Sequence, residues 1–232
     1  MRRCAQLCAG LSFLHDRETP LVHRDIKAAN LFCSADLATL KLGDFGLCRS
    51  VRTLQGGNDS RVMTGMTGTF MHMAPEVYNA TAGYTEKADI FSAAICIVEL
   101  ISGEHAYVAE SEQVLRRPEI LTLRVCLDRY RPSLESKIKK TDMRDLVTRM
   151  WAHEASERPS AAQCEVELVA LLATVTAKAS HNPIAAIKKA FAFTPFKRSP
   201  SAFFRRSSLV AAGSSARRGS RTSARRGSRT PP

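Results

Sequence analysis

The sequence predicts an α+β protein whose body is mainly helical and carries one small β element. Three observations support this class. Apolar residues recur at helical spacing in four segments, two short strand-like segments flank a turn, and the composition changes abruptly towards the end of the chain. Apolar residues make up 44% of the 232 residues and charged residues 24%, which is globular composition and excludes a wholly disordered or fibrous chain.

The first helix and the β element are predicted before residue 43. Residues 1–15 place apolar side chains on one helical face, at Cys4, Leu7, Cys8, Leu11 and Leu14. Residues 19–30 are polar and irregular, which predicts a loop. Residues 31–33 and 39–42 flank a turn around Ser34–Asp36, and we predict two short strands there.

Three further helices are predicted after a long ordered loop. The loop covers residues 44–85, which hold several glycines and show little apolar periodicity. Residues 86–102 are apolar almost all round, which predicts a buried helix. Residues 143–150 carry apolar groups at helical spacing, with Thr141 expected as the N-cap, and residues 160–163 match a capping box that opens the last helix.

The charge distribution divides the chain near residue 178. All 22 acidic residues lie at or before Glu167, whereas residues 178–232 contain 13 of the 34 Lys and Arg residues and no acid. The octapeptide SARRGSRT occurs twice in succession in this basic segment. Low-complexity sequence of this kind buries too little apolar area to offset chain entropy, so we predict a disordered tail over 178–232. Three uses stay open: no specific partner, control by phosphorylation, or weak contact with anionic membranes or nucleic acid.

The seven cysteines are scattered, and no two of them form a CxxC pair. This spacing indicates neither a disulfide scaffold nor a zinc ribbon. We therefore expect a reducing compartment, with the cytoplasm as the predicted location and the nucleus as the alternative.

Four polar residues around the predicted strands carry the candidate chemistry. Residues 23–30 have the sequence HRDIKAAN, which supplies Asp25, Lys27 and Asn30, and Asp44 follows the second strand in the sequence DFG. A strand-turn-strand between Asn30 and Asp44 can fold the four residues into one cluster. Amide and carboxylate oxygens suit Mg²⁺. A metal, a base and a cation together are what phosphoryl transfer needs.

These motifs resemble those of eukaryotic protein kinases. HRDxxxxN, DFG, GT and APE occur in order, and they are followed by a helix that starts at Asp89 and by Arg158-Pro159. HRDIKAAN, GTFMHMAPE and the segment from Met150 to Ser160 most resemble the tyrosine-kinase-like group of Ser/Thr kinases. The resemblance runs from residue 1 to about residue 175. It implies a protein-kinase-like fold represented by its mainly helical C-terminal lobe, with the N-terminal lobe absent.

The resemblance implies a role for each residue of the cluster. Asp25 would accept or orient the proton of the substrate hydroxyl, and Lys27 would contact the γ-phosphate. Asn30 and Asp44 would hold Mg²⁺ and thereby the nucleotide. Phe32 would lie under the adenine ring.

Further positions match the kinase activation segment. Glu76 and Arg158 would form a buried ion pair that braces this segment. Arg24, directly before Asp25, is similar to the arginine of kinases that are switched by phosphorylation of the segment. The candidate residues there are Thr64 as the first choice of phosphosite, then Ser60 and Thr67, and Thr69 as a structural residue that bonds toward Asp25.

The predicted function is that of a protein serine/threonine kinase that transfers the γ-phosphate of MgATP to protein hydroxyls. Its expected partners are ATP, a protein substrate and an upstream kinase. Residues 1–177 would be the catalytic domain, which lacks the Gly-rich loop and strand lysine of the N-terminal lobe, so we expect the chain to be nearly inactive alone. The alternative is a kinase-derived binding or scaffold module without catalysis.

Overall fold

The computed structural model describes residues 1–51, 70–79, 85–110 and 112–179. The chain divides into two units, Met1–Phe196 and Lys197–Pro232, and every described residue belongs to the first. The predicted disorder of the tail falls almost wholly outside the described residues and stays a prediction. Within the described residues, no helix combines the length and the apolar character that a membrane span requires.

The described part of the chain is mainly helical, as predicted. The helices are α1 (Arg2–His15), α2 (Pro75–Asn79), α3 (Lys87–Ser102), α4 (Glu112–Leu115), α5 (Pro118–Leu127), α6 (Thr141–Met150) and α7 (Ala161–Ala179). Single 3₁₀ turns occur at Ala28–Asn30, Phe70–His72 and Ala155–Glu157.

Helix α3 forms the centre of the core. Its side chains are buried on all sides, including Ile90, Phe91 and Ile95, because the segment is apolar all round. The helix ends at Gly103, where a φ of +73° lets the backbone N–H bond back to the carbonyl of Glu99. Helix α1 packs against both α3 and α7.

Within the described residues, four short strands form two separate antiparallel pairs. The strands are β1 (Leu21–Val22), β2 (Leu31–Cys33), β3 (Leu40–Leu42) and β4 (Arg49–Ser50). The β2–β3 pair is the predicted strand-turn-strand, with Leu31 opposite Leu42. The β1–β4 pair was not predicted, since two residues per strand are too few to show a periodic pattern.

The predicted loops at 19–30 and 44–85 therefore contain regular structure. Strand β1 and a 3₁₀ turn lie within the first segment, and β4, a second 3₁₀ turn and helix α2 lie within the described part of the second. The loop prediction is wrong for these elements. Each is five residues or shorter, so long-range contacts rather than local periodicity decide where it forms.

The two predicted helix caps have different outcomes. The capping box at the start of α7 is confirmed, because the Gln163 N–H donates to Ser160 Oγ (3.2 Å) and the Ser160 N–H donates to Gln163 Oε1 (2.8 Å). Thr141 is wrong as the N-cap of α6: the cap is Lys140, and Thr141 is the first helical residue. The Thr141 hydroxyl instead accepts a hydrogen bond from Arg144 (3.3 Å).

Candidate active site

Asp25, Lys27 and Asn30 form one hydrogen-bonded cluster between β1 and β2. Asp25 Oδ2 accepts from Lys27 Nζ at 2.7 Å and from Asn30 Nδ2 at 2.8 Å. The same Asn30 nitrogen donates to the Asp25 backbone carbonyl at 2.8 Å. Asp25 and Asn30 are 6% and 5% exposed, so these polar groups are held in place by each other and not by bulk water.

Asp89, in the first turn of α3, fixes the backbone that carries this cluster. Its carboxylate accepts from the N–H groups of His23 (2.7 Å) and Arg24 (3.0 Å), and it contacts His15 Nε2 at 2.9 Å. Arg24 has a φ of +71°, a left-handed conformation that is unfavourable for a non-glycine residue. The hydrogen bonds to Asp89 offset part of that strain and orient the following residue, Asp25.

The sequence indicates Asp89 only as the start of a motif and predicts no role for its side chain. The available signal was a carboxylate inside a segment that is predominantly apolar. A buried carboxylate needs several donors. Two backbone N–H groups and a histidine supply them here.

The β2–β3 pair brings Asp44 to the same end of the sheet as Asn30. The Gly43 N–H donates to the Asn30 carbonyl at 3.0 Å, and Asp44 follows Gly43 directly. Asp44 has a φ of +59°, so the chain turns sharply after β3. Its exposed carboxylate accepts from the Gly46 N–H at 3.3 Å.

The residues present fit a magnesium ion. The nitrogen of the Asn30 side chain donates to Asp25, so the Oδ1 atom is the side-chain atom that remains for a cation. Asp44 adds an exposed carboxylate on the same end of the sheet. One amide oxygen and one carboxylate match the preference of Mg²⁺, which otherwise keeps phosphate oxygens and waters.

His23 and Phe45 are in contact and connect the HRDIKAAN motif to the DFG motif. The rings lie 5.1 Å apart between centroids, and His23 Nε2 is 3.0 Å from the Gly43 carbonyl. His23 is fully buried, so it acts as a packing residue between the loop at residues 23–30 and the DFG segment.

Phe32 on β2 presents its ring to solvent beside the cluster, with 57% of the residue exposed. The Phe32 ring packs so closely on Gly43 that a Cβ atom on residue 43 would lie 2.4 Å from the ring carbon Cε2. Glycine at 43 therefore permits this ring position. The adenine contact expected for Phe32 stays a prediction.

Cys48, close behind the DFG segment, is not an activated thiol. Burial and the nearby Asp89 carboxylate raise its pKa, with a smaller opposing effect from Arg49. The thiol is therefore neutral near pH 7, and the neutral form is the poor nucleophile.

Glu76 and Arg158 form a bidentate ion pair between α2 and the turn before α7. The two guanidinium nitrogens donate to the two carboxylate oxygens at 2.6 and 2.8 Å. Three backbone carbonyls also accept from Arg158, those of Lys87, Ala152 and His153. The Arg158 side chain is fully buried, so this pair ties the APE segment to the helical core. Of the other activation-segment predictions, Ser60, Thr64, Thr67 and Thr69 lie outside the described residues.

This mainly helical fold, with an HRD-loop cluster beside a DFG-bearing hairpin, is that of a protein kinase C-terminal lobe. The chain belongs to the protein kinase family: the model of the protein kinase domain matches residues 2–167.

Individual relatives agree with this assignment. The chain is 33% identical over 155 residues to the serine/threonine-protein kinase VIK of Arabidopsis thaliana, a match that covers 66% of this chain and 33% of the relative. It is 35% identical over 153 residues to the serine/threonine-protein kinase STY46 of Arabidopsis thaliana, covering 66% and 24%. The dual specificity protein kinase shkE of Dictyostelium discoideum is 31% identical over 160 residues, covering 69% and 21%. The chain thus spans a third or less of the length of these relatives, and membership of the tyrosine-kinase-like group stays a prediction.

Proposed function

We propose that this chain is the catalytic lobe of a protein serine/threonine kinase that transfers the γ-phosphate of ATP to protein hydroxyls. The observation that carries the proposal is the buried cluster in which Lys27 and Asn30 both contact the same oxygen of Asp25. The family membership supports the reaction class, and the named relatives support serine and threonine as acceptors.

Asp25 is the group that receives the proton of the acceptor hydroxyl. An ionised carboxylate only accepts hydrogen bonds, and the two donors on Oδ2 hold this one in a fixed orientation for an incoming O–H. Lys27 Nζ lies 2.7 Å from Asp25 Oδ2, so its positive charge is placed beside the acceptor hydroxyl. There it can stabilise the negative charge on the phosphoryl group during transfer. The place of Lys27 two residues after Asp25 is similar to that in serine/threonine kinases.

Asn30 couples the acceptor side of the site to its metal side. Its amide nitrogen holds Asp25, while its amide oxygen, with the Asp44 carboxylate, would hold Mg²⁺. When bound, Mg²⁺ supplies charge neutralisation for the nucleotide phosphates. The remaining partners follow from this reaction: ATP, a protein substrate, and an upstream kinase that modifies the segment beyond Arg24. A cytoplasmic location also belongs to this proposal.

The first test measures nucleotide binding by the full chain with a fluorescent ATP analogue at increasing Mg²⁺. We expect Asp44→Asn to weaken Mg²⁺-dependent binding much more than Asp25→Asn, since only Asp44 supplies a charged metal ligand. Asp36→Asn is the matched control, because Asp36 is an exposed carboxylate in the turn at the other end of the same sheet. Equal nucleotide affinity in all three variants contradicts the assignment of the metal ligands.

The second test follows phosphate transfer from labelled ATP to a mixed protein substrate, with identification of the modified residues. With a kinase N-terminal lobe added in trans, Asp25→Asn is expected to lower kcat by roughly 10²–10⁴-fold, the usual effect of removing a general base. Transfer to serine or threonine that is lost in Asp25→Asn supports the kinase proposal. Mg²⁺-dependent binding with no transfer, even with a kinase N-terminal lobe added in trans, favours the binding-module alternative.

A further inference from the structure

His72, Cys96 and Glu99 form a second cluster of chemically active side chains, which shares no residue with the proposed phosphoryl-transfer cluster. One ligand atom from each residue can be chosen so that all three lie within 4.8 Å of one another. His72 comes from the 3₁₀ turn at Phe70–His72, and the other two come from α3. Cys96 and Glu99 are three positions apart on the helix, so they share one face.

We propose that this cluster is a binding site for a zinc ion, with His72 Nε2, Cys96 Sγ and a Glu99 carboxylate oxygen as ligands. A thiolate, an imidazole and a carboxylate are the three ligand types that Zn²⁺ takes in proteins. Three protein ligands leave a fourth tetrahedral position, which a water molecule fills.

The distances suit this ion with little movement. His72 Nε2 and Glu99 Oε2 are 3.2 Å apart. In the metal-free protein this contact is a hydrogen bond from His72 Nε2 to the carboxylate, so the Nε2 proton has to leave before zinc can bind there. Two ligand atoms at about 2.0–2.1 Å from a tetrahedral zinc lie about 3.3 Å from each other, which is close to the observed separation. The third ligand atom, Cys96 Sγ, lies within 4.8 Å of the other two, so it would have to approach them by at most about 1 Å to reach tetrahedral geometry.

The carboxylate is oriented before any ion arrives. Glu99 Oε1 accepts from the Ala106 N–H at 3.3 Å and lies 3.7 Å from His105 Nε2. His105 Nδ1 accepts from the Tyr107 N–H at 3.3 Å, so the proton of the neutral ring is on Nε2. The His105 N–H therefore faces the Glu99 carboxylate at 3.7 Å, a distance too long for a hydrogen bond but close enough for electrostatic attraction.

The charges balance when zinc binds. Without metal, Cys96 is a free thiol that is fully buried in the core. Zinc binding replaces the S–H bond of Cys96 by a metal–sulfur bond and releases that proton to water. The proton of the neutral His72 ring moves from Nε2 to Nδ1, so that Nε2 becomes the ligand. A thiolate and a carboxylate then neutralise the two charges of the ion, which allows the complex to remain buried.

Zinc at this position would connect the end of the activation segment to α3. Ser92 Oγ already donates to the His72 carbonyl at 2.7 Å, and His72 and Asp25 line the same small cavity of about 20 Å³. The ion would thus immobilise the backbone next to the acceptor side of the proposed phosphoryl-transfer site, although the zinc proposal does not depend on that function.

The test adds Co²⁺ and then Zn²⁺ to the reduced full chain and records visible absorption and proton release. Co²⁺ replaces zinc at tetrahedral thiolate and imidazole sites and binds more weakly than Zn²⁺. We expect one thiolate–Co²⁺ signal per chain, its loss on addition of one equivalent of Zn²⁺, and release of about one proton per ion bound.

Cys96→Ala is the decisive variant, and Cys126→Ala is its matched control because Cys126 is also buried but is not part of the cluster. We expect Cys96→Ala to lose the signal and to weaken Zn²⁺ binding by more than about 100-fold, since supporting residues alone change metal affinity by about 10–100-fold. Glu99→Gln keeps the hydrogen-bond acceptor and decides the question if Cys96→Ala does not fold by circular dichroism. Equal Co²⁺ binding by the Cys96 and Cys126 variants overturns the proposal, and so does a signal that disappears only in Cys33→Ser, where an exposed thiol is removed.

Discussion

The Glu76–Arg158 pair allows a sharp test of how much a buried ion pair stabilises this lobe. The perturbation is Glu76→Gln, which keeps the size of the side chain and removes its charge. Arg158 is fully buried with three backbone carbonyls as further acceptors, so the variant leaves a buried cation with most of its hydrogen bonds and no counter-charge.

Removal of one partner from a buried ion pair usually costs about 3–5 kcal/mol. We place Glu76→Gln at about 3 kcal/mol, the lower end, because the amide oxygen and the backbone carbonyls still accept from the guanidinium. For a body of this size, each kcal/mol changes Tm by about 2–4 °C, so the expected decrease is about 6–12 °C.

The chain offers a matched control in Arg149 and Glu167. This pair is also bidentate, at 3.2 and 2.5 Å, but the two side chains are 49% and 40% exposed. Exposed pairs contribute about 0–1 kcal/mol, so Glu167→Gln should lower Tm by no more than about 4 °C. The assay is thermal unfolding followed by fluorescence of Trp151, the single tryptophan, which is buried seven residues before Arg158. Equal decreases in Tm for the two variants would refute the reasoning.

Three further predictions concern single contacts. Asp89→Asn should accelerate amide hydrogen exchange at His23 and Arg24, whose N–H groups lose an ionised acceptor; unchanged exchange contradicts the positioning role. Tyr130→Phe should lower the free energy of unfolding more at pH 7 than at pH 3. The Tyr130 hydroxyl and Arg124 hold the Glu110 pKa below its usual range, so the stabilisation that these contacts provide is lost as the pH falls. An equal decrease at the two pH values would contradict this role of Glu110. Ser160→Ala should lower the unfolding free energy by about 1 kcal/mol in urea titrations, and no change would exclude a stabilising capping box.

The local parts of the candidate site were predictable from the sequence. Asp25, Lys27 and Asn30 lie within six consecutive residues, so a single turn brings them together. Asp44 is fourteen residues further on, but strand-turn-strand pairing opposite Asn30 is enough to place it at the same end of the sheet. Short sequence separations and one register determine this part of the structure.

The contacts that the sequence did not indicate join residues far apart in the chain. Asp89 binds the backbone of His23 from 66 positions away, and His72 meets Glu99 from 27 positions away. A histidine or a carboxylate has no local periodic signature that names its partner. Such contacts depend on how α3 packs against the loops, and this is decided by the folded core as a whole.

Helix α3 explains why these long-range contacts occur together. Its first two turns make three of them. Asp89 accepts from the backbone N–H of His23, and the Phe91 ring packs against the Arg158 guanidinium, whose carbon lies 5.1 Å from the ring centroid. The Ser92 hydroxyl donates to the His72 carbonyl. Arg131 also lies over the Phe91 ring, at 4.8 Å, so this ring contacts two cations. Because the helix is buried on all sides, these three connections share one rigid support. A change in the core around α3 should therefore displace the loop that carries Asp25, the Glu76–Arg158 pair and the His72 segment together, even when it touches no residue of the proposed phosphoryl-transfer cluster.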